Sequence, residues 1–99
     1  MDLRTEIRRT VDTGKVKFGT KSAEKELLVG KAKAIILSTN LPDQKKEMLE
    51  NYAKMTSIDI IPFEGSSLEL GSICGKPFNI GVLTVLDSGK SKLLQASEN

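Results

Sequence analysis

The sequence predicts an α/β fold, a three-layer α/β/α sandwich around a central mixed, largely parallel four-stranded sheet. Three observations lead there. Helix-period and strand-period segments alternate along the chain in the order α-β-α-β-α-β-α-β, and strands separated by helices pair mainly in parallel with helices on both faces. Ala34-Ile35-Ile36-Leu37 is a continuous apolar run, as expected of a strand covered on both sides. The 99 residues, 38% of them hydrophobic, contain no repeat, linker or low-complexity tract, so residues 1–99 are expected to form one domain.

The elements follow in order. Asp2 is placed to cap a first helix whose apolar residues Leu3, Ile7 and Val11 fall one turn apart. Gly14 is expected to stop it in the left-handed conformation. Lys15-Val16-Lys17-Phe18 alternates polar and apolar, the period of a half-buried strand, and Gly19 ends it. Thr20 or Ser22 is the expected cap of a second helix, with Ala23 and Leu27 inward and Gly30 closing it. After the buried strand, Pro42 opens a third helix running to about Met55, in which Met48, Tyr52 and Met55 share a face beside Leu49 and Ala53. Residues 58–62 read as a strand stopped by proline. Gly65-Ser66-Ser67 is a turn with a capping hydroxyl, and a short helix follows to Cys74 with Leu68, Leu70 and Ile73 as its apolar positions. Gly75 breaks that helix, and Lys76-Pro77-Phe78-Asn79 forms a loop. Residues 80–86 form the last strong strand. A turn at Asp87-Ser88-Gly89 precedes a short edge strand at Lys92 to Leu94, and the tail from Gln95 is expected to be loose.

Composition removes several function classes. One cysteine, Cys74, allows no internal disulfide and fits a reducing, cytoplasmic setting. With no histidine, imidazole acid–base chemistry and catalytic triads are excluded, and no transition-metal site or cofactor is expected. No phosphate loop or dinucleotide fingerprint is present. Glu64 with Glu69 is a possible carboxylate pair without a second catalytic element, so the chain does not read as an enzyme. No apolar run approaches the roughly 20 residues of a membrane span. Net charge is only +2, but residues 1–33 hold nine basic side chains against five acidic ones, a bias compatible with a polyanion on one side or with a solvated helix surface.

Function in open α/β sheets collects in loops beyond the strand ends. Gly19-Thr20-Lys21-Ser22-Ala23-Glu24-Lys25 is a strand end running straight into a helix, where free backbone N–H groups and the positive end of the helix dipole favour an anion. The alternative is an ordinary strand–helix junction with solvated lysines. Asn40, in Ser38-Thr39-Asn40-Leu41-Pro42, has the donor and acceptor to read a base edge; it has equally the chemistry to cap the next helix or bond its own loop. Phe78 either packs on splayed bases or folds into the core, where Phe18, Phe63 and Tyr52 are expected.

Taken together, Gly19-Thr20-Lys21-Ser22, Ser38-Thr39-Asn40-Leu41-Pro42, and Leu68-Glu69-Leu70-Gly71 followed by Gly75-Lys76-Pro77-Phe78-Asn79-Ile80-Gly81-Val82 resemble ribosomal protein thirty of the archaeal and eukaryotic large subunit. The third helix around Glu50-Asn51-Tyr52-Ala53 and the Phe63-Glu64-Gly65 turn are also similar to that family, and the resemblance spans residues 3–94. Where other kink-turn binders of the superfamily carry Gly-Thr-Asn-Glu, this chain has Lys21-Ser22 after Gly19-Thr20, which favours the ribosomal protein thirty branch.

The resemblance implies a structural constituent of the large ribosomal subunit, without catalytic role or cofactor, that binds a kink-turn: an asymmetric internal RNA loop with sheared G·A pairs and a sharp bend. Gly19, Thr20 and Lys21 would approach the backbone and a guanine, and Lys25 a phosphate. Asn40 and Leu41 would meet nucleotides in the kink. Phe78, Asn79 and Ile80 would pack on a flipped-out nucleotide, with Gly81 permitting close approach. The implied partners are ribosomal RNA and neighbouring ribosomal proteins, with no membrane, a monomeric state when free, and a place on the cytoplasmic ribosome. A non-ribosomal small-RNP or translation-associated kink-turn binder is the alternative.

Overall fold

A computed structural model describes residues 2–96. Its elements are α1 (Leu3–Thr13), β1 (Lys15–Phe18), α2 (Thr20–Leu28), β2 (Ala34–Leu37), α3 (Asp43–Thr56), β3 (Asp59–Pro62), α4 (Ser67–Ile73), β4 (Val82–Asp87) and α5 (Leu93–Ala96). The four-stranded mixed sheet has the order β1-β4-β2-β3. One face is covered by α1, α4 and α5, whose Ile7, Leu70 and Leu93 pack with Ile36, Leu83 and Val85. The other is covered by α2 and α3, whose Ala23, Leu27, Leu49 and Ala53 pack with Ile35, Leu37 and Val82. Successive residues of β2 thus enter opposite cores, which is why its run is apolar throughout and all four residues are buried. No helix among the described residues is long and apolar enough to cross a membrane.

The pairing departs from the largely parallel expectation. β2 pairs with β3 in parallel, but β4 lies between β1 and β2 antiparallel to both. The strands β1, β2 and β3 do point the same way, as alternating helices require. The exception has a cause in α4, which is only seven residues long and is followed by a loop that carries the chain back to the end it left. Entering the sheet from that end, β4 must run the opposite way.

Four local expectations are also corrected. Gly14 is extended, with φ −110°, rather than left-handed; a Cβ there would collide with the Asp87 carbonyl, so the glycine serves the close approach of the turn after β4. Residues Lys92 to Leu94 do not add an edge strand. Leu93 opens the single turn of α5 and is fully buried beneath α1, while Gln95 and Ala96 belong to that turn and the rest of the expected loose tail lies outside the described residues. Leu68 and Met55, expected on apolar helix faces, are exposed. Two capping expectations hold, at α1 and α4. The Asp2 carboxylate accepts from the Thr5 hydroxyl and, with less effect, from the Arg4 N–H, which hold its pKa below the usual 3.8. Ser66 and Glu69 form a reciprocal capping box on α4.

Candidate functional site

The topology gathers four loops at one end of the sheet: residues 19–22 after β1, 38–41 after β2, 63–67 after β3, and 74–81 before β4. Backbone hydrogen bonds tie them to one another. The Gly19 N–H donates to the Val82 carbonyl at 3.0 Å and the Ser38 N–H to the Gly81 carbonyl at 3.0 Å. The Thr39 N–H and hydroxyl both donate to the Gly65 carbonyl at 2.9 Å, and the Ile80 N–H donates to the Ser67 carbonyl at 2.9 Å.

The first loop leaves backbone open at a helix start. Gly19 takes φ +99°, a region that side chains strain, and a Cβ there would meet nothing within 4 Å, so the backbone faces open space. Gly19, not Thr20 or Ser22, is the N-cap of α2, and no side chain caps the helix. The first-turn N–H groups are therefore left for an external acceptor. Lys21 and Lys25 are exposed on this helix and belong to no ion pair among the described residues. Thr20 is half-buried beside them.

The second loop answers the question left open for Asn40. Its Oδ1 accepts from the Ser67 N–H at 2.8 Å and from the Ser38 hydroxyl at 3.2 Å, and its Nδ2 donates to the Ser67 hydroxyl at 3.3 Å. It does not cap α3: it struts the loop after β2 against the start of α4, while as an exposed residue it keeps a second Nδ2–H outside these bonds. Leu41 beside it is 9% exposed and packs with the α2–α3 core. An added Cβ at Gly81 would lie 3.2 Å from the Leu41 Cδ1, so the glycine keeps these two loops close.

The fourth loop divides its residues. Phe78 is 51% exposed and Asn79 is exposed, whereas Ile80 is 2% exposed and belongs to the core under α1 and α4. The Ile80 side chain therefore anchors the loop instead of facing outward as the sequence suggested. The loop's path also depends on Gly71 in α4, where any Cβ would collide with the Phe78 carbonyl.

Two contributors escaped the sequence reading. Phe18 is half-buried rather than core, and its ring meets Phe78 edge-on at 6.5 Å, joining the first and fourth loops. The Lys76 ammonium lies 5.6 Å from the Phe18 ring centroid. The signal for Phe18 was its position in the residue before Gly19, on a strand that turns out to be an edge and leaves its apolar phase only partly covered. The result is a surface of aromatic edge, ammonium groups and free backbone N–H, suited to a polyanion with exposed rings.

The Glu69 carboxylate is engaged by the Ser66 N–H and by Arg4 at 3.7 Å, so the Glu64–Glu69 pair is not available as acid and base. Cys74 is buried, and desolvation pushes its thiol up to about 11. Among the described residues no group of acidic or cysteine side chains is arranged to hold a metal ion.

Comparison with known proteins places this geometry in a known setting. Residues 1–95 match the Ribosomal protein L7Ae/L30e/S12e/Gadd45 family. The chain is 44% identical to the large ribosomal subunit protein eL30 of Methanothermobacter thermautotrophicus, over 96% of this chain and 97% of that protein. It is 41% identical to the eL30 of Methanocaldococcus jannaschii, over 99% of this chain and 89% of that one. The eL30 of Candida albicans is 38% identical, over 96% and 90% of the two chains. Among solved structures, a protein of unknown function from Bacillus halodurans shares the fold, with a TM-score of 0.83 at 21% identity over 96% of this chain and 94% of its own.

Proposed function

The chain belongs to the Ribosomal protein L7Ae/L30e/S12e/Gadd45 family, and from that footing we propose that it is a structural constituent of the large ribosomal subunit, not an enzyme, whose residues 1–99 act as one domain that binds a kink-turn in ribosomal RNA through the loops at one end of its sheet. The observation that carries this reading is the meeting of two features at that end: the uncapped start of α2 at Gly19 and the exposed Phe78 ring held by Phe18. A sharply bent RNA presents phosphates and unstacked bases close together, and these two features address one of each.

The residues then take distinct parts. Gly19 lets the backbone approach the RNA near a sheared G·A pair, Thr20 and Lys21 bring the open N–H groups of the first turn of α2, and the Lys21 and Lys25 side chains add cations to phosphates. Phe78 and Asn79 meet the flipped-out nucleotide. Ile80 supports them from below, and Gly81 permits the close approach. Asn40 and Leu41 lie beside the kink, and Asn40 holds its loop in place through Oδ1 and one Nδ2–H. The protein works as a monomer when free and sits on the cytoplasmic ribosome among other ribosomal proteins.

The test is direct. A fluorescently labelled kink-turn RNA is expected to bind tightly, with affinity falling as salt rises, while a straight duplex of the same length binds far more weakly. Equal binding of the two would overturn the reading. Sedimentation with large ribosomal subunits in high salt is expected to retain the protein; its loss would favour a small-RNP role for the same RNA grip.

A further inference from the structure

The underside of α2 holds polar groups that the RNA-facing loops do not use. In the ladder Lys17 stands opposite Thr84, and Thr84 opposite Ile35, so the three side chains project on one face of the sheet. Ile35 identifies that face, since it belongs to the core under α2 and α3. From above, Ala23, Glu26 and Leu27 form the buried stripe of α2. The Glu26 side chain is 4% exposed there, and its Oε1 accepts from the Lys17 ammonium at 3.1 Å. Lys17, Glu26 and Thr84 thus form one polar cluster where α2 lies over β1 and β4.

The cluster is not complete in itself. Glu26 Oε2 and Thr84 Oγ1 are both buried, and neither has a hydrogen-bond partner among the described residues. No other buried side-chain oxygen or nitrogen of those residues is left in that state. A stranded buried hydroxyl and a half-satisfied buried carboxylate are both costly, and buried polar groups are in general paired with protein or with ordered water. Each of the two is also held in place. Thr84 is fully buried, with the apolar Ile35 on its other flank. Glu26 is fixed through its backbone, whose carbonyl accepts from the Lys31 and Ala32 N–H groups at 3.0 and 3.2 Å.

Chemistry decides what joins them. The carboxylate oxygen needs a donor, and the Thr84 hydroxyl can donate or accept. The Lys17 ammonium has further N–H donors beyond the one it gives to Glu26. An anion is repelled by Glu26, and a second cation meets the Lys17 ammonium at short range in a poorly hydrated place. A water molecule suits all three groups: it donates to Glu26 Oε2, shares a bond with Thr84 Oγ1, and accepts from Lys17. About two to four such partners are what a buried water ordinarily has.

We propose that Glu26 Oε2 and Thr84 Oγ1 bind an ordered internal water that seats α2 on the sheet. Lys17, whose side chain is half exposed, is the route by which it exchanges with solvent. The helix it seats is the one whose first turn opens the RNA-facing loop, but the site follows from buried groups of the free protein and stands or falls separately from the kink-turn reading.

The experiment uses the full chain without RNA. Oxygen-17 relaxation dispersion of the solvent, which counts long-lived waters and does not see hydroxyl protons, is expected to report one fewer in Thr84→Val than in wild type. Thr84→Ser keeps the hydroxyl and is expected to keep the count. In urea, Thr84→Val is expected to lower the unfolding midpoint, because it takes a partner from the water and leaves Glu26 Oε2 less well satisfied. A crystal structure of the wild-type protein, which needs no variant to fold, is expected to place a water oxygen about 2.7–3.2 Å from both atoms. An unchanged water count in Thr84→Val would overturn the proposal. So would a raised midpoint, the sign of a hydroxyl stranded in a dry site, or a crystal in which Thr84 bonds Glu26 directly. A midpoint that changes when sodium replaces potassium at equal ionic strength would assign the site to a cation instead.

Discussion

Replacing Asn40 with alanine separates a strut from a reader of bases. The substitution removes the bonds at 2.8, 3.2 and 3.3 Å that join Asn40 to the Ser67 N–H, the Ser38 hydroxyl and the Ser67 hydroxyl. Ser67 is buried, so its N–H is left without an acceptor where water reaches it poorly. A net hydrogen bond is worth about 0.5–1.5 kcal/mol and a stranded buried donor costs about 1–3 kcal/mol. The bonds at 3.2 and 3.3 Å are long, so most of the effect comes from the Ser67 amide, and a loss of about 2–3 kcal/mol in folding stability is expected. Urea unfolding followed by circular dichroism measures that loss. Amide exchange in the free protein is expected to localise it, with Ser67 losing protection before the strands do. Asn40→Asp retains the acceptor for the Ser67 N–H and is expected to recover most of the stability, while its added negative charge weakens RNA binding. If Asn40→Ala unfolds like wild type and leaves the Ser67 amide protected, yet loses RNA, the strut is wrong and the amide reads the RNA itself.

Three further outcomes bear on the site and the core. Lys21→Ala is expected to leave stability unchanged or raise it by a few tenths of a kcal/mol, because a lysine in the first turn opposes the helix dipole; RNA titrations across salt should show a log–log slope shallower by about 0.7–0.9, and an unchanged slope would remove Lys21 from the interface. Phe78→Ala is expected to cost less than about 1.5 kcal/mol of stability, since the ring is half exposed and meets the Phe18 ring edge-on, but to weaken RNA binding by roughly tenfold or more in gel shift, the scale of one lost base stack. Cys74 has its folded pKa raised to about 11 from the ordinary 9.0, so its contribution to stability is fully present below pH 9 and declines as pH rises toward 11; denaturation from pH 8 to 11 should show a decline that Cys74→Ala lacks, and equal pH profiles would contradict the burial argument.

Much of this molecule was legible in its sequence, and the failures have physical causes. Helix capping at Asp2 and Ser66 was read from short-range chemistry, which tertiary context left untouched. The burial of β2 was read from an apolar run that only two covering layers permit. The same doubly covered character hid the direction of Ile80. The strand itself begins at Val82, two residues later than expected, and Val82, Leu83, Thr84 and Val85 are buried whichever face they point to, so no period-two signal says which way the residue leading into it turns. At Leu93 a single helical turn offers no period at all, and only its burial under α1 reveals what it does. Asn40 was recognised as a functional candidate, but its partner Ser67 lies 27 residues away, beyond any local rule. Phe18 was assigned inward by alternation; its partial exposure follows from β1 being an edge, which is a property of strand order rather than of the strand.

The place of β4 in the sheet has a consequence for synthesis. Of the described strands it is the last to be made, yet it fills the gap between β1 and β2, and it or the residue before it accepts the bonds from Gly19 and Ser38 that fix the first two loops. A nascent chain ending short of residue 82 leaves β1 without its only ladder partner and the central gap empty. The loops after β1 and β2 therefore exist as sequence long before they exist as a surface. On the proposed reading, a new chain gains its RNA-facing surface only once residues 81–87 have emerged, and a truncated product lacking β4 is expected to be silent rather than a competitor for the same ligand.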